Sequence, residues 1–264
     1  MGFGKGNEIK TLEKMFIPHS LGVLYSSFTE LLGYQVDGDE WKVMALSAFD
    51  VDCSSHLEKI KSTYRLLDNG LLELDVNYYK AAILGQPNLY TENLVKLLDG
   101  RVGIKGEEPD QWHYSIARAM QIVFEEIAIH MLLNLYERTK LKNVVLGGGS
   151  FMNSVFNGKV IKNTPFENVY ISHSPSDVGN SIGAALYVAH NLKNEDRDTT
   201  FNSSYLGPSF SDEEIKKTLE RRKIIYKKVE NIPKTVADIL SRGEIIARFD
   251  GRMEFGERAL GNRS

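Results

Sequence analysis

Cysteine is nearly absent from this 264-residue sequence, and so are long apolar runs. The single cysteine, Cys53, excludes an intramolecular disulfide and fits a reducing compartment such as the cytosol. A helix that crosses a bilayer needs about 20 apolar residues, and no apolar segment of this sequence comes near that length. The amino terminus also lacks the apolar core of a signal peptide. We therefore predict a cytoplasmic protein without a membrane partner.

An excess of charge of either sign is also lacking. The sequence has 32 basic and 35 acidic residues and a net charge of −3. Its basic residues are dispersed, which does not favour a nucleic-acid partner. With 42% apolar and 25% charged residues, the composition is that of an ordinary globular protein.

The first part of the chain predicts mostly helices. The first ten residues are polar and glycine-rich and predict a loop. Apolar residues at helical spacing predict helices in "SLGVLYSSFTELLG", with Ser20 as N-cap and Gly33 after its end, and in "DEWKVMALSAF". The same spacing predicts a long helix from Asp110 to about Arg138.

The segment between these helices is harder to interpret. In "SSHLEKIKSTYRLLDNG", Ser55 and Glu58 have capping-box spacing, which predicts a helix that closes on Asn69-Gly70. The run "LLELDV" predicts a strand, and residues 77–109 predict irregular structure.

Strands and helices alternate in the second half. The order is strand "NVVLGGG", helix "FMNSVFNGKVIKN", strand "NVYIS" and helix "SDVGNSIGAALYVAH", which predicts an α/β layer with a partly parallel sheet. Residues 191–204 are polar and predict a linker. Beyond them, "SDEEIKKTLERR" predicts a helix with acidic residues in its first turn and basic ones in its last. "KIIYKKV", "IPKTVADILSRG" and "EIIARFD" then predict a strand–helix–strand unit.

The first candidate site is the glycine turn after "NVVL". Gly147, Gly148 and Gly149 allow the backbone to approach an anion or a sugar closely. Asn153 and Asn157 would share one helix face, from which both could hydrogen-bond to a ribose or a base. The segment matches neither GxGxxG nor the P-loop pattern, so a tight turn that serves only packing remains an alternative.

The second candidate is Asp177, which precedes a helix rich in small residues. It could cap that helix, or it could reach into a cleft as a metal ligand or a phosphate-site acid. Because the two strand–turn–helix units lie in one parallel layer, their turns are expected at the same edge, where α/β proteins bind ligands.

The last fourteen residues, "GRMEFGERALGNRS", combine three arginines with glycine turns. The guanidinium groups of Arg252, Arg258 and Arg263 suit phosphate or carboxylate oxygens. A surface patch of weak ion pairs is the alternative.

These segments, in this order, resemble the O-carbamoyltransferases of antibiotic and nodulation-factor biosynthesis, whose front domain is similar to the Kae1 protein. The resemblance rests on "IPHSLGVLYSSFTELLGYQVDGDEWKVMALS", "VVLGGGSFMNSVFNGKV", "SPSDVGNSIGAALYVAH", "YLGPSFSDEEI" and the terminal fourteen residues. It covers most of the chain from residue 16 onward, and residues 52–109 match only loosely.

The resemblance implies an α/β architecture. Residues 1–190 would be the second ribonuclease-H-like lobe of a Kae1-like domain of the actin/hexokinase superfamily. After the linker, residues 205–264 would be the truncated start of a YrdC-like α/β domain.

The resemblance also implies an activity. A YrdC-like domain would make carbamoyl adenylate from carbamoyl phosphate and ATP, and the Kae1-like domain would pass the carbamoyl group to a hydroxyl of a small molecule. By position, Asp177 matches the family's metal-binding aspartate, the metal being divalent and expected to be iron. The nucleotide-binding positions are Gly148, Gly149, Asn153 and Gly179, and anion-binding arginines are expected at Arg258 and Arg263.

Three departures from the family pattern modify this expectation. Relative to the family, the sequence lacks the amino-terminal half of the Kae1-like domain, including the HxxxH pair that supplies two metal ligands. It also lacks most of the YrdC-like domain, and Glu257 stands where proline is usual. The sequence therefore resembles an internal piece of a longer enzyme, expected to bind nucleotide without turnover. Two alternatives are a sugar kinase of the same superfamily and a non-catalytic subunit that self-associates or docks a complementing polypeptide.

Overall fold

A computed structural model describes residues 1–80, 88–197 and 203–256. The chain divides into two compact units, residues 1–177 and 178–264. The predicted domain boundaries at 190 and 204 remain a prediction. Helices and strands are mixed, as an α/β protein requires.

The strands are short and pair two by two. They are β1 (Gly2–Lys5), β2 (Glu8–Thr11), β3 (Tyr64–Leu66), β4 (Leu72–Leu74), β5 (Asn143–Leu146) and β6 (Asn168–Ile171). The pairs β1–β2 and β3–β4 are antiparallel, whereas β5–β6 is parallel.

The α-helices lie mostly between the strand pairs. In the first unit they are α1 (Leu21–Leu31), α2 (Glu40–Leu46), α3 (Ser54–Lys61), α4 (Glu92–Leu97), α5 (Gln111–Thr139), α6 (Ser154–Asn157) and α7 (Val160–Asn163). In the second they are α8 (Asn180–Tyr187), α9 (Asp212–Arg221) and α10 (Ile232–Ser241), with a π turn over Val188–Leu192. Within the described ranges, no helix combines the length and the apolarity that a bilayer crossing requires.

The predicted ends of α1 and α5 are confirmed. The Ser20 hydroxyl accepts a hydrogen bond from the Val23 amide, and Gly33 follows α1 with a φ of +82°. Asp110 caps α5, with His113 completing a capping box. These ends follow from local sequence, since each cap bond spans only three residues.

Two predictions near the amino terminus are wrong. The first residues form the hairpin β1–β2, because Gly6 at φ +60° and Asn7 make a two-residue turn between the strands. The pair Ser55 and Glu58 makes no capping box. Instead, the carboxylate of Asp52, two residues before the helix, accepts a hydrogen bond at 2.9 Å from the amide of Ser54, the first helical residue.

The region after α3 also differs from expectation. The helix ends at Lys61, and the chain turns through Asn69-Gly70 to form the hairpin β3–β4. Only glycine fits at position 70, where φ is +80° and a Cβ atom would lie 2.4 Å from the Asn134 Cβ. Helix α4 forms in the range predicted to be irregular, with Thr91 as its cap.

Helix α5 is the centre of the core of the first unit and packs against α1, α2 and α3. Its apolar stripe is buried along most of its length, through Ile116, Ala117, Ala119, Met120, Val123, Phe124, Ile127, Ala128 and Leu132. Phe124 makes edge-to-face contacts with Tyr25 of α1 and Phe156 of α6, with ring centroids 5.4 and 5.6 Å apart. The end of the glycine-turn segment, residues 147–157, is thus tied to the same core.

The second unit contains no buried side chain between residues 203 and 256. The predicted charge pattern of α9 is confirmed, with Asp212 in its first turn and Arg221 in its last.

The predicted strands "KIIYKKV" and "EIIARFD" are wrong for the described residues, where both segments are unpaired. A strand needs a partner for its backbone groups, and Ile225 and Ile245 instead stand almost fully exposed.

The start of α5 predicts an acid-sensitive contribution to stability. The Arg101 guanidinium, 2.6 Å from Asp110, and then the His113 ring and amide hold the pKa of Asp110 below its ordinary value of 3.8. Because the folded-state pKa is the lower one, this contribution is complete above about pH 4 and is lost as the pH falls further.

Asp110→Asn tests this contribution, because asparagine caps a helix as well as aspartate but carries no charge. We expect a loss of less than about 1 kcal/mol at neutral pH that shrinks progressively as the pH falls below about 4, measured by urea unfolding. Asp110→Ala is the matched variant and should lose a further 0.5–2 kcal/mol or so both at neutral pH and below pH 4, because it removes the cap. A deficit of Asp110→Asn that grows on acidification would contradict the assignment.

Candidate functional site

The glycine turn follows β5 directly. Val144 and Leu146 of this strand are buried, and the chain then reverses through Gly147, Gly148 and Gly149 into a 3₁₀ turn over Gly149–Met152. Gly148 has φ +103° and ψ 156°, a combination open essentially to glycine alone. The glycine at this position is therefore required by the backbone.

The turn that follows β6 and leads to Asp177 lies beside the glycine turn. Strand β6 runs parallel to β5 with Leu146 opposite Ile171, so the turns that follow the two strands leave the sheet at the same edge. The Gly148 amide donates a hydrogen bond to the Pro175 carbonyl at 2.6 Å. A methyl group on Gly149 would lie 4.0 Å from the Ser176 Cβ. The expected meeting of the two turns at one sheet edge is thus observed.

Asp177 ends the first unit with an exposed side chain. It does not cap α8, whose N-cap is Gly179 without a side-chain cap bond. The capping alternative for Asp177 is therefore wrong for that helix. Gly179 lies in the 3₁₀ turn Asp177–Gly179 and has a helical φ of −68°.

Asn153 caps a helix and does not lie on the helix face that the sequence predicted. The chain forms a 3₁₀ turn before α6, so Asn153 is the N-cap of α6 and Asn157 is its last residue. The Asn153 Oδ1 accepts from the Phe156 amide at 3.0 Å, and the Asn157 Nδ2 donates to the Phe151 carbonyl at 2.7 Å. The two amides therefore fix the local backbone and do not form one helix face.

Sequence reasoning missed Gln121 of α5, which is buried against Asn153. Its amide exchanges two hydrogen bonds with that of Asn153, at 2.9 and 3.2 Å. It also accepts from the Tyr25 hydroxyl at 3.3 Å and donates to Glu125 at 2.9 Å. A polar residue between Met120 and Ile122 in an apolar helix is the signal that could have drawn attention to it.

The remaining predicted site residues are placed as follows. Arg258 and Arg263 lie outside the described residues. Arg252 is described, and its guanidinium donates to the carbonyls of Leu206 and Gly207 at 3.2 and 2.9 Å. Over residues 1–80, 88–197 and 203–256, no three His, Cys, Asp or Glu side chains come together in a way that could hold a metal ion.

Family models match both ends of the chain. A model described as carbamoyltransferase N-terminus matches residues 3–186, and one described as carbamoyltransferase C-terminus matches residues 237–264. The first covers both turns, and the second includes Arg258 and Arg263.

Several curated proteins are similar over almost the whole chain. An uncharacterized protein from Synechocystis is 34% identical over 278 residues, which cover 99% of this chain and 43% of that protein. Nodulation protein NolNO from Sinorhizobium fredii is 29% identical over 100% of this chain and 37% of its own length. The 3'-hydroxymethylcephem-O-carbamoyltransferase from Streptomyces clavuligerus is 24% identical over 92% of this chain and 42% of its own length. The chain spans less than half the length of each of these relatives.

Proposed function

The chain belongs to the carbamoyltransferase family, and we propose that it serves ATP-dependent O-carbamoyl transfer from carbamoyl phosphate to a hydroxyl of a small molecule. The name of the Streptomyces clavuligerus relative, an O-carbamoyltransferase, supports oxygen as the acceptor atom. The match over residues 3–186 supports a Kae1-like lobe for the first part of the chain, and the match over residues 237–264 supports a YrdC-like start for the last part.

The proposed reaction has two steps. Carbamoyl phosphate, ATP and water give carbamoyl adenylate, pyrophosphate and inorganic phosphate. The acceptor oxygen then attacks the carbamoyl carbon, a new C–O bond forms, the bond from that carbon to the adenylate oxygen breaks, and AMP and the hydroxyl proton are released. Preorganised hydrogen-bond donors stabilise the charge that develops on the carbonyl oxygen in such a transfer.

The observation that carries the proposal is the 2.6 Å hydrogen bond from Gly148 to Pro175. It holds the two turns together at the carboxyl edge of a parallel strand pair, the place where α/β proteins bind ligands. Gly148 and Gly149 leave this edge without side chains, so that an adenosine phosphate can approach the backbone closely. Asn153, which follows the first turn, is a further proposed nucleotide contact, and Gly179 remains a prediction from the family resemblance alone.

The described residues do not provide a complete metal site. Asp177 is an exposed carboxylate, and a catalytic metal normally has about three protein ligands. No three such ligands meet in the described part of the chain. We therefore assign no step to a metal, and we propose that this chain alone binds ATP without turnover.

Titration of ATP into the chain tests this proposal. We expect saturable binding with a Kd below about 1 mM, the upper range of ordinary substrate affinities, and weaker binding of GTP as the matched control. Supplied with carbamoyl phosphate, ATP and hydroxyl acceptors, the chain should form no carbamoylated product above background by mass spectrometry. Lack of ATP binding would refute the nucleotide site, and robust product would refute the absence of turnover.

A non-catalytic partner subunit is a second candidate, favoured by the exposed apolar side chains of the second unit. Ile225 is fully exposed and Ile245 is 98% exposed, whereas a folded domain normally covers such residues. In the same assay, this candidate predicts carbamoyl product only when a complementing polypeptide is added. No observation favours the sugar kinase.

A further inference from the structure

We propose that Gln121 is a positioning residue, which aims one N–H of Asn153 at a hydrogen-bond acceptor of the bound nucleotide. The inference rests on the proposed function, because the nucleotide is the ligand that it orients. Gln121 and Asn153 are 4% and 8% exposed, so water cannot readily replace the hydrogen bonds between them.

The two amides form a reciprocal pair. The Asn153 Nδ2 donates to the Gln121 Oε1 at 2.9 Å, and the Gln121 Nε2 donates to the Asn153 Oδ1 at 3.2 Å. The residues are 32 positions apart, on α5 and at the start of α6. The pair therefore ties the end of the glycine-turn segment to the central helix of the core.

The charges beside Gln121 fix which way both amides face. An ionised Glu125 only accepts hydrogen bonds, so the Gln121 group that faces it must be the nitrogen, at 2.9 Å. Lys159 donates to both Glu125 oxygens at 2.7 and 2.8 Å and holds the carboxylate in place. The Gln121 oxygen consequently faces Asn153, and Asn153 must present its own nitrogen.

A count of donors and acceptors then leaves one hydrogen. Gln121 uses both hydrogens of Nε2, on Asn153 and Glu125, and its oxygen accepts from Asn153 and from the Tyr25 hydroxyl at 3.3 Å. The Asn153 oxygen accepts from Gln121 and from the Phe156 amide. Among the described residues, the second hydrogen of the Asn153 Nδ2 is the one not used by this network.

This remaining hydrogen defines the ligand chemistry. Asn153 can add a contact to a ligand only as a donor, because both lone pairs of its oxygen are taken. The matching ligand atom is an acceptor, such as a ring nitrogen of adenine or a ribose oxygen. Burial raises the pKa of Tyr25, and Glu40 and Glu125 add to the shift, so its hydroxyl stays protonated and keeps donating to Gln121.

Gln121→Met tests the inference, because methionine keeps the length of the side chain but can neither orient nor satisfy Asn153. We expect an ATP affinity about tenfold weaker by titration calorimetry, the size expected for one lost hydrogen bond. We also expect about tenfold faster hydrogen exchange at the Phe156 amide, which is bonded to the Asn153 oxygen.

Ala128→Gly is the matched control for general destabilisation. Ala128 is buried on the same helix, about 10 Å along its axis from Gln121, and does not contact Asn153. Glycine in place of alanine destabilises a helix by an amount similar to the cost of one lost hydrogen bond. We expect its ATP affinity and its Phe156 exchange to stay within about twofold of the unaltered chain, a change too small to represent a lost hydrogen bond.

The two readouts separate the inference from the proposed function. An unchanged Phe156 exchange in Gln121→Met, or an ATP affinity that falls no further than in Ala128→Gly, would overturn the role of Gln121. An unaltered chain that binds no ATP would refute the proposed function, and the Phe156 exchange would still decide whether Gln121 positions Asn153.

Discussion

Replacing Phe124 by alanine is expected to lower the free energy of unfolding by about 3–5 kcal/mol. Phe124 is 1% exposed and packs edge to face against Tyr25 and Phe156, so the substitution leaves a cavity where α1, α5 and α6 meet. Ordinary domains are stable by about 5–15 kcal/mol, so this loss removes a large part of the total. Urea unfolding followed by far-ultraviolet circular dichroism measures it.

Leu133→Ala is the matched control. Leu133 lies on the same helix but is 40% exposed, so we expect a loss of less than about 1 kcal/mol. Equal effects of the two substitutions would show that the meeting point of the three helices is not the principal core of the first unit.

Replacing Gly148 by alanine is expected to weaken ATP binding about 10- to 100-fold. At φ +103° and ψ 156°, a residue with a Cβ atom is strained by about 1–3 kcal/mol. The turn can relieve this strain only by rotating, which would break the hydrogen bond to Pro175 and separate the two turns. Each 1.4 kcal/mol or so of that strain corresponds to a tenfold change in affinity, which calorimetric titration measures.

Gly149→Ala is the matched control, because it adds a methyl group to the same turn without the backbone strain expected at position 148. Its backbone is outside the left-handed region, and its Cβ would meet Met152 and Ser176 at ordinary distances of 3.9 and 4.0 Å. We expect the free energy of unfolding to change by less than about 0.5 kcal/mol in this variant, but to fall in Gly148→Ala. Wild-type stability and affinity in Gly148→Ala would argue against a required turn geometry.

The site was only partly predictable from the sequence. The triple glycine and Asp177 each follow a strand-like run, so their placement at one sheet edge could be expected from the rule for parallel strands. The setting of Asn153 could not, because the 3₁₀ turn before α6 moves it to a cap position and its partner Gln121 lies on another helix. Spacing along the chain carries no information on such a pair.

The sequence by itself determined the features that depend on a few neighbouring residues. The caps at Ser20 and Asp110, the apolar stripe of α5 and the need for glycine after β5 belong to this class, because their bonds and steric conflicts lie within about four positions.

Only the tertiary structure decided which segments pair. It joined β5 to β6 and Gln121 to Asn153, turned the residues after α3 into a hairpin, and left the strand-like runs around Ile225 and Ile245 unpaired. The physical reason is that a strand or a buried amide gains stability only from a partner distant in sequence, and the cost of bringing the two together depends on the whole fold.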